Sequence, residues 1–333
     1  VAYDRGNVSA EELCQLAAQD SIHSLGQLAT AYRDEHVGLT RATFALTHLL
    51  DLQVSAADML ADLDKTVKDC SEQLHMDPST ASVDLGLVDL DKDPEFTLPK
   101  LGKRLWKVKQ SYPSIEISLW GFKTLWALAQ KEQLSIADVL GYLREQGVDI
   151  IESSPHESES DLTHTEIVQI HREAHANDMR TACKAQLAVP PGKGAKPLWD
   201  SFLARIEALD NLTEETRGMA SLAVTVDRDS FVTIAEYVKA VAIARLACRS
   251  IENIATPFTH IPTLSPAKGL GTRMDQHPAE KVASLMLHFG ASDLGHIDPA
   301  ILNPRAILQQ IRAAGYQPEM RDCRYHPLRQ PDA

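Results

Sequence analysis

Cysteine is scarce and scattered. Cys14, Cys70, Cys183, Cys248 and Cys323 each stand alone in a chain of 333 residues. An odd count without paired spacing reads as reduced thiols rather than a disulfide framework, and a cytoplasmic location is the expectation. Long apolar runs are missing too. No stretch reads as a membrane span, and no charged-apolar-small secretory signal is visible. Basic charge is in deficit: 33 Lys and Arg against 46 Asp and Glu leave a formal net charge of −13. That balance argues against a nucleic-acid binder and against docking on anionic lipid. What is present is ordinary for a globular chain, 44% hydrophobic and 24% charged, and the length accommodates one α/β barrel or two smaller domains.

Along the chain, strand and helix signals alternate. Ser9-Ala10-Glu11-Glu12 is a capping box that predicts a helix to about Asp34. Strands are expected within 39–50, 81–88, 115–119, 148–151, 180–188 and 219–226, with a strand-like stretch at 257–261. Helices are expected from Ser55 to about His75, over 98–110, from Ser135 to the Gly147 stop, from Thr163 to Asn177, over 199–209 and from Thr233 to Asn253. Two more follow near 280–289 and 304–314. Strands joined by helices through short loops predict a parallel sheet with right-handed crossovers. The fold class is therefore α/β, a partial or full TIM-type β/α barrel with N- and C-terminal helical extensions. No linker divides the chain, so one domain is expected: a helical extension at 1–37, the barrel at 38–265 and a C-terminal helical segment at 266–333.

Chemistry in such barrels collects at the C-terminal ends of strands. That rule nominates Glu116 and Trp120, Glu152 and His156, Lys184 and Gln186, and Thr259 and His260. Glu116, His156 and His260 are the expected proton-transfer groups; the rest would contact a ligand. The plainer reading of any one of them is a structural polar contact, such as Glu116 paired with Lys184 inside the barrel. His156, Glu157 and Glu159 with His164 fit no closed metal motif and read as a solvated acidic loop. His171 and His175 lie four apart on one helix, but without HExxH they read as structural. Pro191-Gly192-Lys193-Gly194-Ala195-Lys196 lacks the GxxxxGK[ST] of a phosphate loop. No metal site is expected.

Several segments resemble one enzyme group. Tyr237-Val238-Lys239 with Ala240-Val241-Ala242-Ile243-Ala244-Arg245-Leu246, then Ile251-Glu252-Asn253-Ile254, Phe289-Gly290-Ala291-Ser292-Asp293-Leu294-Gly295, Ile311-Arg312-Ala313-Ala314-Gly315-Tyr316-Gln317-Pro318, Arg321-Asp322 and Tyr325 are in order. With the helix at Ile170–His175, they resemble the radical S-adenosylmethionine (SAM) enzymes of the aminofutalosine synthase, dehypoxanthinyl futalosine cyclase and FO synthase group. The resemblance implies a barrel of the radical SAM type whose C-terminal segment closes the mouth, and substrate roles for Asp293 and Arg321. The group's CxxxCxxC cluster motif is absent, and a [4Fe–4S] cluster needs its thiolates. Only Gly86 remains after the second strand, and Glu152–Glu157 replaces a Gly-rich turn. The resemblance thus implies that iron–sulfur cluster and SAM are both lost, leaving no cofactor. The expected function is a cluster-free barrel that binds a small polar or nucleoside-like metabolite, with non-radical acid–base chemistry. The alternatives are a non-catalytic pseudoenzyme regulating a paralogue, and a menaquinone-type radical enzyme whose cluster loop is missing from this chain. A homodimer or a paralogue is left open as partner.

Overall fold

The computed structural model describes residues 10–18, 21–37, 41–51, 61, 63–65, 68, 82–86, 95–153, 162–190, 197–226, 232–257, 278–297 and 303–328. Two helices, α1 (Ala10–Ala18) and α2 (Ile22–His36), precede the first strand. The single helix expected to Asp34 is thus two, and Ser21 is the N-cap residue of the second. The barrel then alternates: β1 (Arg41–Asp51), β2 (Ser82–Gly86), α3 (Leu98–Ser111), β3 (Glu116–Trp120), α4 (Phe122–Glu132), α5 (Ile136–Glu145), β4 (Ile150–Glu152), α6 (His164–Ala176), β5 (Arg180–Leu187), α7 (Trp199–Thr216), β6 (Met219–Val226), α8 (Ile234–Ala247), β7 (Asn253–Ala255), α9 (Pro278–Leu287), β8 (Asp293–Ile297), α10 (Pro304–Ala313) and β9 (Gln317–Met320).

The eight strands β1 to β8 pair in sequence order, all parallel, and β8 returns to β1. This is the TIM-type β/α arrangement. The closure is made by one long strand. β1 pairs with β8 through Thr43–Leu46 and with β2 through Thr47–Asp51. Its first residues, Arg41–Phe44, also pair with β9, so a ninth parallel strand extends the sheet at the N-terminal end of the barrel.

Local chemistry explains the helices. Capping boxes start three of them, Ser135 with Asp138, Thr163 with Glu166 and Thr233 with Glu236, each satisfying two orphan N–H groups. Helix α8 is apolar nearly all round, with Tyr237, Val238 and 240–246 buried. It is sandwiched between the sheet and the N-terminal helix α2, so both faces need apolar residues. The main apolar cores lie between strands and helices. Inside the barrel the packing is sparse: Ile150, Ala182 and Ala220 meet Cys323 of the C-terminal segment.

Three expectations change. The seventh strand is Asn253–Ala255, and 258–261 of the strand-like stretch expected at 257–261 lie outside the described residues; the strand's start is fixed by Asp210, whose carboxylate accepts the N–H groups of Arg249, Ser250 and Ile251. Helix α4 escaped prediction because it has no side-chain cap and begins after Gly121, at φ +123°. The segment 266–333, expected to be helical, supplies two strands, β8 and β9.

That C-terminal segment closes the end of the barrel opposite to the one the resemblance implied. Residues 321–328 fold as a tight loop, pinned by the Arg321–Pro327 bridge and the Leu328 N–H to Met320 carbonyl bond of 2.8 Å. The loop meets the starts of three strands. The Cys323 N–H donates to Glu116 at 2.9 Å, Arg180 donates to the Arg324 carbonyl at 3.2 Å, and Arg324 donates to Asp149. Asp149 also accepts from the Ile117 N–H and Lys109, with Arg144 at 3.5 Å. Its cations are part-exposed and can rehydrate, which limits the cost of losing it. Asp149→Ala is expected to destabilise by about 1–3 kcal/mol, mainly through the orphaned Ile117 N–H. Urea denaturation checks this; an unchanged midpoint would remove Asp149 from the account.

Candidate functional site

The barrel interior carries polar groups at two levels. The lower level lies at the strand starts and is closed by the C-terminal loop. Asp293, the first residue of β8, holds Arg321 through two bonds, Nη2 to Oδ1 at 2.8 Å and Nε to Oδ2 at 2.5 Å. The same carboxylate accepts from the Thr43 hydroxyl at 2.6 Å and the Gly295 N–H at 2.6 Å. All its bonding capacity is thus used inside the protein, as a buried charge requires. The Arg321 guanidinium lies 3.5 Å from the centroid of the Tyr325 ring, a cation–π contact. The Ser221 hydroxyl donates to the Tyr325 phenol at 2.6 Å.

The upper level lies at the strand ends. Glu152 closes β4 and accepts from the Ser118 hydroxyl of β3 at 2.8 Å. His296, from β8 on the other side of the barrel, brings Nε2 to 3.4 Å from Glu152 Oε1. The carboxylate and the imidazole therefore meet across the barrel. Lys184 of β5 stands at the same level and is buried. Around them lies a narrow cleft, with about 600 Å³ of atom-free space including its mouth. Its polar lining includes Glu152, Lys184, Ser221, Thr225, His296 and Tyr325. Small residues on four neighbouring strands, Ala182, Ala223, Ala255 and Gly295, make its walls. Gly295 adopts φ +75° and a Cβ there would stand 3.2 Å from Pro257 Cα. Glycine is therefore required at the step that leads into His296.

The predicted residues divide between the levels. Glu152 and Lys184 line the cleft. Gln186 sits higher on β5 and donates to the Val226 carbonyl at 3.3 Å, joining two strands. Trp120 ends β3. Glu116 is the first residue of its strand, not the last, and serves as an acceptor for the C-terminal loop. Burial, with Asp322 and Asp149 nearby, pushes its carboxyl above the usual range. Asp293 and Arg321 form the lower level. His156, Thr259 and His260 lie outside the described residues. Sequence reasoning missed His296, Ser221 and Thr225, and it placed Tyr325 only in a motif. His296 had a signal, since it follows Asp293-Leu294-Gly295 at the end of a short apolar run. Among the described residues no group of three or more His, Cys, Asp or Glu could hold a metal ion, and no helix is long and apolar enough to cross a membrane.

No known family matches the chain, and no curated protein does. Solved structures do resemble it in chain path. One from Aquifex aeolicus has 11% identity and a TM-score of 0.48, covering 87% of this chain and 95% of that one. Dihydropteroate synthase from Thermus thermophilus, in complex with 6HMPPP, has 10% identity and a TM-score of 0.46, with 82% and 93% covered. The 7,8-dihydropteroate synthase from Vibrio fischeri has 13% identity and a TM-score of 0.43, with 82% and 92% covered. Likeness this distant says nothing about activity.

The resemblance to radical SAM enzymes is corrected by these findings. No family model of that kind matches, and two of the three solved structures named above are dihydropteroate synthases. The motifs that suggested it have structural causes here. Residues 237–246 are a doubly buried helix, Gly290 at φ +89° is a turn, and Arg321 and Tyr325 build the lower closure. Alternation of this kind belongs to barrel packing and carries no ancestry by itself. The menaquinone-type reading, which rested on that resemblance alone, falls with it.

Proposed function

We propose that this protein binds a small polar metabolite in the cleft at the C-terminal end of the barrel. The observation that carries the reading is the approach of Glu152 and His296 to 3.4 Å across the barrel, beside buried Lys184. Convergent charged groups in a barrel mouth are the usual setting of a ligand site. In this reading Lys184 meets an oxygen-bearing, electron-rich part of the ligand. Glu152 and His296 exchange a proton with a neighbouring ligand group, an acid–base step of the kind imidazole and carboxylate perform near neutral pH. Ser118 holds Glu152 from beneath, and the small-residue walls exclude water without filling the space.

The test is a panel of polar metabolites screened by thermal shift and confirmed by calorimetry, with Glu152→Gln and Lys184→Met beside the unaltered protein. Removal of a charged hydrogen-bonding partner is expected to weaken a hit by about ten- to a hundredfold. Circular dichroism should show the barrel retained. A ligand that binds both variants as tightly as the unaltered protein would place binding elsewhere and sink the reading.

A further inference from the structure

We propose that Tyr325 is the specificity-determining floor of the cleft, delivered from the far end of the barrel by the C-terminal loop. This rests on the reading of the cleft as a ligand site. Most of the lining described comes from strands β4 to β8 or the residue or two just beyond them; Tyr325 comes from beyond β9. The ring enters from below through the sparse layer of Ile150, Ala182 and Ala220. Two alanines at that level leave the room it uses.

Tyr325 is held, not merely placed. Its backbone is at φ +68°, in the left-handed region that a bulky side chain rarely adopts. The loop fixes that conformation through the Tyr325 N–H to Asp322 carbonyl bond at 3.2 Å and the Asp322 N–H to His326 carbonyl bond at 2.9 Å. Arg321 covers one face of the ring and is locked by Asp293. Asp293 in turn receives the Gly295 N–H, one residue before His296. The floor and the acid–base pair are thus tied to one carboxylate.

A ligand descending between Glu152 and Lys184 stops at a hydroxyl pair, Tyr325 and Ser221, 2.6 Å apart. Each hydroxyl can donate and accept. The buried end of the ligand is therefore a small hydrogen-bonding group, such as a hydroxyl, carbonyl or amine, and not an alkyl or aryl tail. Ligand length is set by Tyr325.

The experiment uses phenol as probe and the full chain with Tyr325→Ala. Removing the side chain leaves a space of phenol's size beside Ser221. Calorimetry is expected to show phenol binding to Y325A and none to the unaltered protein or Y325F. Ala223 is the next residue above Ser221 on the same face of β6. Filling the cleft with Ala223→Phe in Y325A should weaken phenol binding by at least about tenfold, because the site is the bottom of the cleft. Phenol binding indifferent to A223F, or absent from folded Y325A, overturns the proposal. Should Y325A fail to fold, the single variant A223F decides. Its new ring should move the Tyr325 resonance, assigned with Y325F, in protein carrying ¹³C-tyrosine. An unmoved resonance overturns the proposal. Neither arm requires a metabolite, so a failed metabolite screen leaves this result to be read separately.

Discussion

Asp293→Ala is expected to lower the free energy of unfolding by about 3–5 kcal/mol, the cost of orphaning a buried charge. Both side chains of the Asp293–Arg321 pair are essentially inaccessible, 0% and 1%. Without Asp293 the guanidinium keeps, among the described residues, the Asp322 carbonyl at 3.0 Å and the Tyr325 ring. The Gly295 N–H loses its acceptor as well, and the Thr43 hydroxyl is left with the Ser292 carbonyl at 3.3 Å. Arg321→Met should cost less, because Asp293 retains those two donors. The double variant should cost less than the sum of the singles, since it leaves neither charge buried alone. Urea denaturation of the three variants at neutral pH measures all of this. Additive losses, or a loss below about 1 kcal/mol for Asp293→Ala, would show that the pair does not hold the lower level together.

Acid should destabilise the protein well above the pH at which carboxylates alone would do so. His171 and His175 share one hydroxyl: His171 Nδ1 and His175 Nε2 each lie 2.8 Å from Thr181 Oγ1. His175 Nδ1 lies 2.7 Å from Thr216 Oγ1, which donates to the Leu212 carbonyl. With the Thr216 proton on the Leu212 carbonyl, neutral rings satisfy the chain in one direction: His175 Nδ1–H donates to Thr216, the Thr181 hydroxyl donates to His175 Nε2, and His171 Nδ1–H donates to Thr181. Burial pushes His171 well below the ordinary 6.5, helped by His175 and Arg205, and lowers His175 to about 4, helped by Arg180. Gly218 packs so closely here that a Cβ would lie 2.1 Å from the His175 ring. The sign follows. The unfolded chain takes up protons below pH 6.5 and the folded chain does not, so stability is full above 6.5 and falls as the pH drops towards 4. His175 alone accounts for up to about 3 kcal/mol across that window; His171 adds to it. Denaturation from pH 7 to 4 should show a shallower decline in His171→Asn with His175→Asn than in the unaltered protein. Parallel declines would mean the imidazoles titrate normally.

Much of the barrel could be read from short-range chemistry. Capping boxes at Ser135, Thr163 and Thr233 mark helix starts because the bonds they make are local. Strands β3, β4, β5 and β6 are apolar runs between such signals. Helix α4 was hidden because its start depends on Gly121 rather than a capping side chain. Strands β7 and β8 were hidden because one is three residues long and the other is joined to β7 through a single residue pair. The site was half legible. Glu152 and Lys184 sit at or near strand ends, and that rule found them. Glu116 shows the rule's failure: it opens its strand, and a strand start points to the opposite end of the barrel. His296 and Tyr325 reach the cleft through ring closure and through a loop threaded from below. Both are tertiary facts; only His296 had a local signal, its place at the end of a short apolar run. The enzyme resemblance failed for a related reason, since apolar helices and glycine turns repeat wherever a barrel must close.

The most direct test of the account is a crystal structure of the protein with the metabolite that stabilises it most. The account predicts the ligand between Glu152 and Lys184, with His296 against it and its buried end on Ser221 and Tyr325. A ligand seated instead in the open polar hollow at Arg180, Glu214, Arg217 and Asn253, with the barrel cleft filled only by its own side chains, would contradict it.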